Sequence, residues 1–321
     1  MATDFHTLID RNKRNSMLLI ALFVLFVALL GGIIGYAIGY PRAGAEHAWR
    51  PALIGISVTT VMAVVGAMGS YFGGTAAILS MSNAELLDRQ DDPQLYNVVE
   101  EMSIAAGVPV PKVYLIRDSA PNAFATGRDP EHGIVAVTTG LREKLSRDEL
   151  QAVIAHEISH IKHYDIRFAL LMATLVGVVV LICDAILESL RHGRSWRHAR
   201  FRPSKRNKGD AAVAVLLFLL VIVLAMVAPT IARIIEMAFS RQREYLADAG
   251  AIELTRNPDG LAGALSRIHA DPDVLDVANR ATAPLYIVHP IKHFEGRASS
   301  IMDSHPPIKD RIRRILAVKH G

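Results

Sequence analysis

Four long runs of apolar residues divide the chain, and each is as long as a helix that crosses a bilayer. The hydrocarbon core of a bilayer needs about 20 apolar residues in helical form. The runs cover residues 16–40, 52–72, 168–187 and 211 to about 235. The first is too long for a secretory signal and lacks its small-residue cleavage site, so we expect a retained anchor. The pattern predicts a mainly α-helical integral membrane protein.

A short loop, residues 41–50, separates the first two runs, which should form a helical hairpin. Four glycines lie near the end of the first run: Gly31, Gly32, Gly35 and Gly39. Small residues let two membrane helices approach closely. The glycines therefore either mark the packing face of this hairpin or only reflect the composition of membrane helices.

The polar part between the second and third runs contains shorter patterns. Apolar residues at helical spacing predict a helix over residues 83–106. A strand is predicted over 112–117, and a β-hairpin from strands at 123–126 and 133–138 around a Gly/Asp/Pro loop. This part should therefore be a small α+β unit.

Composition and charge agree with a chain divided between lipid and water. Hydrophobic residues make up 51% of the 321 residues and charged residues 21%, and the mean hydropathy is +0.28. The single Cys183 excludes an intrachain disulfide and a cysteine-based zinc cluster, and we expect it to be a small buried side chain. The net charge of +4 is small. The sequence contains no basic stripe with interleaved aromatic residues, so we do not expect it to bind nucleic acid.

The distribution of lysine and arginine predicts the sidedness of the membrane segments. Arg11, Lys13 and Arg14 precede the first run, and such residues favour the cytosolic side. Two crossings then return the chain to the cytosol before residues 83–167. The loop 191–208, with eight Lys and Arg residues, would lie outside. Either the last two runs do not cross conventionally, or the first hairpin overrides the charge rule; we favour four membrane segments.

A His-Glu-x-x-His pattern carries the candidate chemistry. Ser146 and Glu149 form a capping box that predicts a helix through the pattern. Residues four apart stand on one helix face, so His156 and His160 can bind one metal ion while Glu157 points toward a metal-bound water. Zinc in hydrolases takes three protein ligands and a water whose proton a general base accepts. The pattern predicts a zinc hydrolase with Glu157 as the base; two unrelated histidines are the alternative.

A third protein ligand must come from another part of the chain. Glu244 and Asp248 are four residues apart, so in a helix both face the same side. Glu244 would bind the metal, and Asp248 would accept the outer N–H of a ligand histidine. The two apolar runs between His160 and Glu244 can pair as an antiparallel hairpin that brings these residues together. The alternative for Glu244 and Asp248 is an ordinary solvated helix face.

Asp259, in the sequence Asn-Pro-Asp-Gly, is a rival third ligand by similarity to site-2-type intramembrane proteases. In those enzymes the His-Glu-x-x-His pattern lies within a membrane helix. Here Lys162, His163 and Asp165 follow it directly, which favours an interfacial position. Asn-Pro-Asp-Gly is also a common turn sequence. We expect His163 to be a surface residue, because a fourth protein ligand would close the water site.

Several motifs together resemble the HtpX group of membrane zinc metallopeptidases, relatives of the CAAX prenyl proteases and the mitochondrial Oma-type protease. The motifs are "HEISH" with "EYLAD", "PNAFATG" and "HPPIKDRIRRI", and the similarity spans residues 1–316. The resemblance implies a gluzincin-like α+β metallopeptidase domain joined to transmembrane helices. It implies one Zn²⁺ per chain on His156, His160 and Glu244, with Glu157 catalytic. It also implies a protein of the bacterial cytoplasmic membrane whose active site faces the cytosol. Such a protein would degrade damaged membrane proteins and unfolded polypeptides.

The resemblance gives roles to further residues. An exposed strand edge can hold an extended peptide through main-chain hydrogen bonds. The candidate edge consists of five consecutive residues: Asn122, Ala123, Phe124, Ala125 and Thr126. The alternative is that these residues belong to a hairpin with a purely structural role. His305 is the candidate donor to the oxyanion, with Arg243 and Tyr245 as alternatives. Asp165 would support a ligand histidine or anchor its helix.

The chain thus divides into four predicted parts. Residues 1–75 form a transmembrane hairpin, 76–167 a cytosolic part with the β-hairpin and motif helix, 168–237 two further membrane segments with the basic loop, and 238–321 the part with the third ligand. The first hypothesis is a zinc endopeptidase acting on membrane proteins. The others are a site-2-type intramembrane protease and a scaffold without activity. Glu157 argues against the scaffold, which needs no general base.

Overall fold

The computed structural model describes residues 5–191, 208–276, 285–288 and 306–318, so the basic loop and His305 lie outside the described residues. The chain forms two compact units. The helical unit comprises residues 14–69 and 172–233, and the mixed unit comprises residues 1–13, 70–171 and 234–321. The helices and strands follow in this order: α1 (Phe5–Ala43), α2 (Trp49–Met81), β1 (Ala84–Leu86), α3 (Pro93–Ala106), β2 (Lys112–Ile116), β3 (Ala123–Thr126), β4 (Ile134–Thr138), α4 (Thr139–Lys144), α5 (Arg147–Lys162), α6 (Asp165–Arg191), α7 (Lys208–Thr255), α8 (Pro258–Ala270) and α9 (Ile308–Ala317).

Four helices of the described chain are long and apolar enough to cross a membrane, as predicted. Their candidate spans are Ile20–Pro41, Trp49–Met81, Asp165–Glu188 and Ala212–Thr255. Leu22, Ile54 and Leu216 each leave 64% of their surface exposed, as side chains that face lipid do. The 48 residues of α7 extend about 72 Å at 1.5 Å per residue, more than twice the roughly 30 Å of a bilayer core. One continuous helix therefore holds both an apolar span and Glu244.

The glycines of α1 lie where α1 and α2 come closest. A Cβ atom on Gly31 would lie 2.5 Å from the carbonyl oxygen of Gly55, and one on Gly35 would overlap the carbonyl of Pro51. Thr59 fills the space beside Gly31 and donates its hydroxyl to Gly55 O at 2.9 Å. Of the two alternatives for these glycines, the structure favours helix packing, because any side chain there would push the two helices apart.

The mixed unit contains a four-stranded sheet in the order β1-β2-β4-β3. β2 and β4 are parallel, and the two outer strands pair antiparallel with their neighbours. The predicted strands at 112–117, 123–126 and 133–138 are confirmed within one residue of their ends. The predicted hairpin therefore leaves β3 as one outer strand of the sheet.

The prediction of a helix over residues 83–106 is wrong for the first part of that range. Residues Ala84–Leu86 form β1, and α3 begins only at Pro93. Asn83 turns the chain with a φ of +47°, and Asp92 caps α3 by accepting a backbone N–H of its first turn at 3.0 Å. β1 exists because it pairs with β2, a long-range contact that the local spacing of apolar residues does not contain.

Helix α5 lies in the core of the mixed unit. The predicted capping box is present: the N–H of Ser146 donates to Glu149 Oε2 at 2.8 Å, and the N–H of Glu149 donates to Ser146 Oγ at 3.4 Å. The helix packs against α3, α8 and β3. Leu150, Ile154 and Ile158 are fully buried on it. The His-Glu-x-x-His pattern therefore lies among buried residues of a fixed helix.

Candidate metal centre

Three side chains from two helices converge inside the mixed unit. His156 and His160 stand one turn apart on α5, with their Nε2 atoms 3.2 Å apart. Glu244, from α7, places Oε2 at 3.6 Å from His156 Nε2 and Oε1 at 3.6 Å from His160 Nε2. Together these three residues could hold a metal ion. Ligand atoms about 2.1 Å from a tetrahedral ion lie roughly 3.4 Å from one another, so the spacing fits a zinc-sized ion.

Each histidine has a carboxylate on its outer nitrogen. Asp248 Oδ1 lies 3.1 Å from His156 Nδ1, and Asp165 Oδ2 lies 3.1 Å from His160 Nδ1. A carboxylate that accepts the Nδ1–H fixes the ring orientation and leaves Nε2 with its lone pair toward the ion. Burial alone would lower the pKa of His160, but the bonds to Asp165 and Glu244 raise it to about 10. The carboxylates around His160 therefore stabilise a positive charge at this position.

Asp165 reaches His160 because α6 begins directly after α5. Tyr164, between the two helices, has a φ of +61°, a left-handed conformation that bulky residues rarely adopt. Arg243 of α7 donates from Nη1 to the carbonyl oxygen of Asp165 at 3.2 Å, and its guanidinium lies 4.2 Å from the ring centroid of Phe168. Arg243, one of the alternative oxyanion donors, thus holds the start of α6.

Glu157 has a carboxylate oxygen to which none of the described residues donates a hydrogen bond. Its side chain is 1% exposed, and Oε1 has no hydrogen-bond partner within the part of the chain that the structure describes. Burial raises the pKa of this carboxyl group. A buried carboxylate oxygen is costly unless it is bonded, so Oε1 of Glu157 is an oxygen that a water molecule or another polar group could bond to.

Arg311 is the residue of the site that the sequence did not reveal. It is completely buried on α9. Its Nε and Nη2 donate to the two carboxylate oxygens of Asp248 at 2.9 and 2.7 Å, and Nη1 lies 3.1 Å from Glu244 Oε2. Burial alone would lower the pKa of the guanidinium, but the negative charges of Asp248 and Glu244 raise it. Arg311 therefore positions Glu244 and Asp248 of α7 beside the histidines.

A local signal for Arg311 was available. Ile308, Ile312 and Ile315 recur at helical spacing in "HPPIKDRIRRI", and Arg311 falls on the same face. A charged residue on an apolar helix face is rarely buried without a partner of opposite charge. This spacing indicates a buried ion pair, although it does not identify the partner.

Replacing Arg311 with Met is expected to lower the free energy of unfolding by about 3–5 kcal/mol, because two buried carboxylates lose their cation. Metal affinity should fall about 10–100-fold, as for other residues that orient metal ligands. Thermal melting in detergent and competition with a chelator measure the two effects.

The matched control is Arg313→Met on the same helix. Arg313 is 77% exposed and pairs only with Asp310 among the contacts of its charged group that the structure describes, so the change should stay within about 0.5 kcal/mol. If the Arg311 variant melts with the wild type and keeps its metal, the positioning role is wrong.

His163 is buried, so its predicted surface position is wrong. It is 2% exposed, and Ser159 Oγ lies 3.1 Å from its Nδ1. Helix α7 covers it: a Cβ atom on Gly250 would overlap Ser159 and lie 3.7 Å from His163 Cε1. The close approach of α7 that brings Glu244 to the histidines also buries His163, and no local pattern in the sequence predicts that approach.

The other predicted residues are placed as follows. Asp259 is an exposed residue in the first turn of α8 and is not part of the ligand group. Tyr245 lies under Arg314, whose guanidinium carbon is 3.9 Å from the ring centroid. Cys183 is a buried free thiol, as predicted. Residues 123–126 form the outer strand β3, but their side chains are buried rather than open.

Known proteins are similar to this chain over most of its length. The model of the peptidase family M48 matches residues 89–319. A protein named protease HtpX homolog from Dictyoglomus thermophilum is 41% identical over 312 residues, 97% of this chain and 94% of that protein. Another from Ligilactobacillus salivarius is 39% identical over 307 residues, covering 96% and 97% of the two chains. The crystal structure of S. mikatae Ste24p, at 18% identity, covers 96% of this chain and 67% of that one with a TM-score of 0.49.

The matched family and the helices long enough to cross a membrane define the class: this is a membrane metalloprotease. The chain belongs to peptidase family M48, and its relatives at about 40% identity are HtpX homologs. The resemblance read from the motifs is therefore confirmed at the level of family, enzyme class and membrane location.

Proposed function

We propose that this protein is a zinc endopeptidase that hydrolyses misfolded or damaged membrane proteins at the cytosolic face of the bacterial cytoplasmic membrane. The observation that carries the proposal is the largely buried group of His156, His160 and Glu244, with the buried Glu157 following His156 on the same helix. Two imidazoles and one carboxylate are a ligand set typical of catalytic zinc. When bound, zinc would polarise the scissile carbonyl and acidify water.

The residues of the chain supply the remaining functions of the mechanism. Glu157 accepts the proton of the attacking water and delivers it to the leaving amine. Asp165 and Asp248 keep the two imidazoles oriented. The edge of β3 pairs with the main chain of the substrate, a form of recognition that tolerates many sequences. Such recognition suits a protease that selects substrates by their loss of structure rather than by their sequence.

Metal removal is expected to abolish hydrolysis, and zinc is expected to restore it, because no other described group at this site can replace the cation as electrophile. The substrate would be a destabilised membrane protein in detergent, with its stable parent as the control. Cleavage products and metal content would be measured together. Undiminished cleavage by the metal-free protein would exclude the proposal, and recovery with another divalent ion but not zinc would correct the metal.

A further inference from the structure

Two arginines meet one tyrosine at the beginning of the third apolar span, and we name these three residues the Tyr71 cluster. The guanidinium carbon of Arg167, in the first turn of α6, lies 5.5 Å from the ring centroid of Tyr71 on α2. The guanidinium carbon of Arg128, in the loop between β3 and β4, lies 5.9 Å from the same centroid. Both distances are within the range of a cation–π contact. Three separate elements of the mixed unit thus bring two positive charges to one aromatic ring.

Close backbone packing holds the three elements of the Tyr71 cluster together. Ser70 donates its hydroxyl to the carbonyl oxygen of Leu170 at 3.0 Å, which joins α2 to α6. Gly127 has a φ of +145°, and a Cβ atom on it would lie 3.1 Å from Ile166 Cδ1. Glycine therefore allows the loop that carries Arg128 to lie against the first turn of α6.

The described carboxylates leave one positive charge of the Tyr71 cluster uncompensated. Arg128 has a carboxylate neighbour, because Asp129 Oδ2 lies 3.6 Å from its Nε. Its Nη2 also lies 2.7 Å from His132 Nε2. Arg167 is exposed and forms no ion pair with any residue that the structure describes. An anion with a single negative charge would therefore balance the two guanidinium groups and Asp129.

The spacing of charged residues along two helices places the Tyr71 cluster at the boundary of the bilayer core. On α6, no charged residue follows Arg167 until Asp184, which lies about 26 Å further along the helix. On α2, Tyr71 lies about 31 Å beyond Arg50, the preceding charged residue. Both lengths are close to the roughly 30 Å of the hydrocarbon core. Tyrosine at such a boundary lies among the lipid headgroups, and the neighbouring Phe72 leaves 68% of its surface exposed.

We propose that the Tyr71 cluster binds the phosphate of an anionic phospholipid. Guanidinium groups bind phosphate oxygens through paired N–H donors, and basic pockets beside membrane helices bind anionic headgroups. A zwitterionic lipid brings a positive charge that the two arginines repel, so the cluster favours a headgroup with only the negative charge. Asp165, which contacts His160, lies two residues before Arg167, so the lipid would bind against the turn that supports the metal centre. Lipid binding requires no proteolysis and is tested apart from the proposed function.

Titration of the detergent-solubilised protein with phosphatidylglycerol or phosphatidylcholine tests the site, with bound lipid counted by native mass spectrometry. Arg167→Gln is expected to weaken binding of the first phosphatidylglycerol about fivefold, the usual contribution of one basic residue at the headgroup layer. The double variant Arg128→Gln/Arg167→Gln should weaken it about 25-fold and change phosphatidylcholine binding less than about twofold. Equal phosphatidylglycerol affinity in the wild type and both variants would overturn the proposal.

Arg89→Gln is the matched control. The guanidinium of Arg89 also lies over a tyrosine, 5.7 Å from the ring centroid of Tyr96, but it pairs with Glu100 at 2.9 Å and belongs to none of the candidate spans. Its replacement should leave the affinity for phosphatidylglycerol unchanged. An equal loss in the Arg89 and Arg167 variants would show that any surface arginine attracts the lipid, and the assigned site would be wrong.

Two further measurements separate a lipid site from other causes. Arg167→Lys keeps the charge and should stay within about twofold of the wild-type affinity, whereas a loss as large as that of Arg167→Gln would contradict recognition by charge. An excess of soluble glycerol phosphate should not displace phosphatidylglycerol. Displacement would show that the cluster recognises free phosphate rather than a lipid at the membrane boundary, and the proposal would be overturned.

Discussion

Replacing Glu157 with Gln is expected to reduce peptide hydrolysis by about 10²–10⁴-fold, the usual contribution of a general base. The amide has the size of the carboxyl group but cannot accept the proton of the attacking water. Glu157 is not one of the three residues that could hold the metal, so metal content should equal that of the wild type. Initial cleavage rates and metal analysis of the same preparation measure both quantities.

Glu143→Gln is the matched control for this change. Glu143 is an exposed carboxylate of α4, so its replacement should alter neither quantity. Cleavage by the Glu157 variant at the wild-type rate would show that another group is the base. Loss of metal from that variant would instead show that Glu157 supports the ion, and the proposed roles would have to be reassigned.

The parts of the site that the sequence predicted are those in which chemistry depends on local spacing. The capping box at Ser146, the pair His156 and His160, and the pair Glu244 and Asp248 each involve residues three or four positions apart on one helix. Helical geometry alone places such residues on one face. The strands of the hairpin were predicted for the same reason, because turn residues and apolar runs are local features.

The parts that the sequence did not predict depend on contacts between distant segments. Arg311 lies far along the chain from Asp248, so the bond between them follows from the packing of α9 on α7 rather than from any spacing. The same holds for β1, which needs β2, and for His163, which α7 buries. The bond of Ile287 to β3 is a further case, since no turn or periodicity connects those residues.

Replacing Glu244 with Ala is expected to weaken metal binding by more than about 100-fold, beyond the 10–100-fold effect of residues that only orient ligands. Hydrolysis should be lost with the metal. Asp259→Ala should leave metal content and activity at the wild-type level, because Asp259 is an exposed residue of α8 outside the ligand group. Zinc titration and cleavage assays on both variants distinguish the metalloprotease with a helical glutamate ligand from the site-2-type alternative.

Glu253→Ala completes this comparison, because Glu253 is an exposed carboxylate on the same helix as Glu244. A loss of metal in both α7 variants would indicate damage to the helix rather than removal of a ligand. A loss in the Asp259 variant alone would mean that α7 does not supply the third ligand. Because Glu244 Oε1 and Oε2 each lie 3.6 Å from one imidazole nitrogen, we expect only the Glu244 variant to release the ion. The ion would then be held by two histidines of α5 and one glutamate of α7.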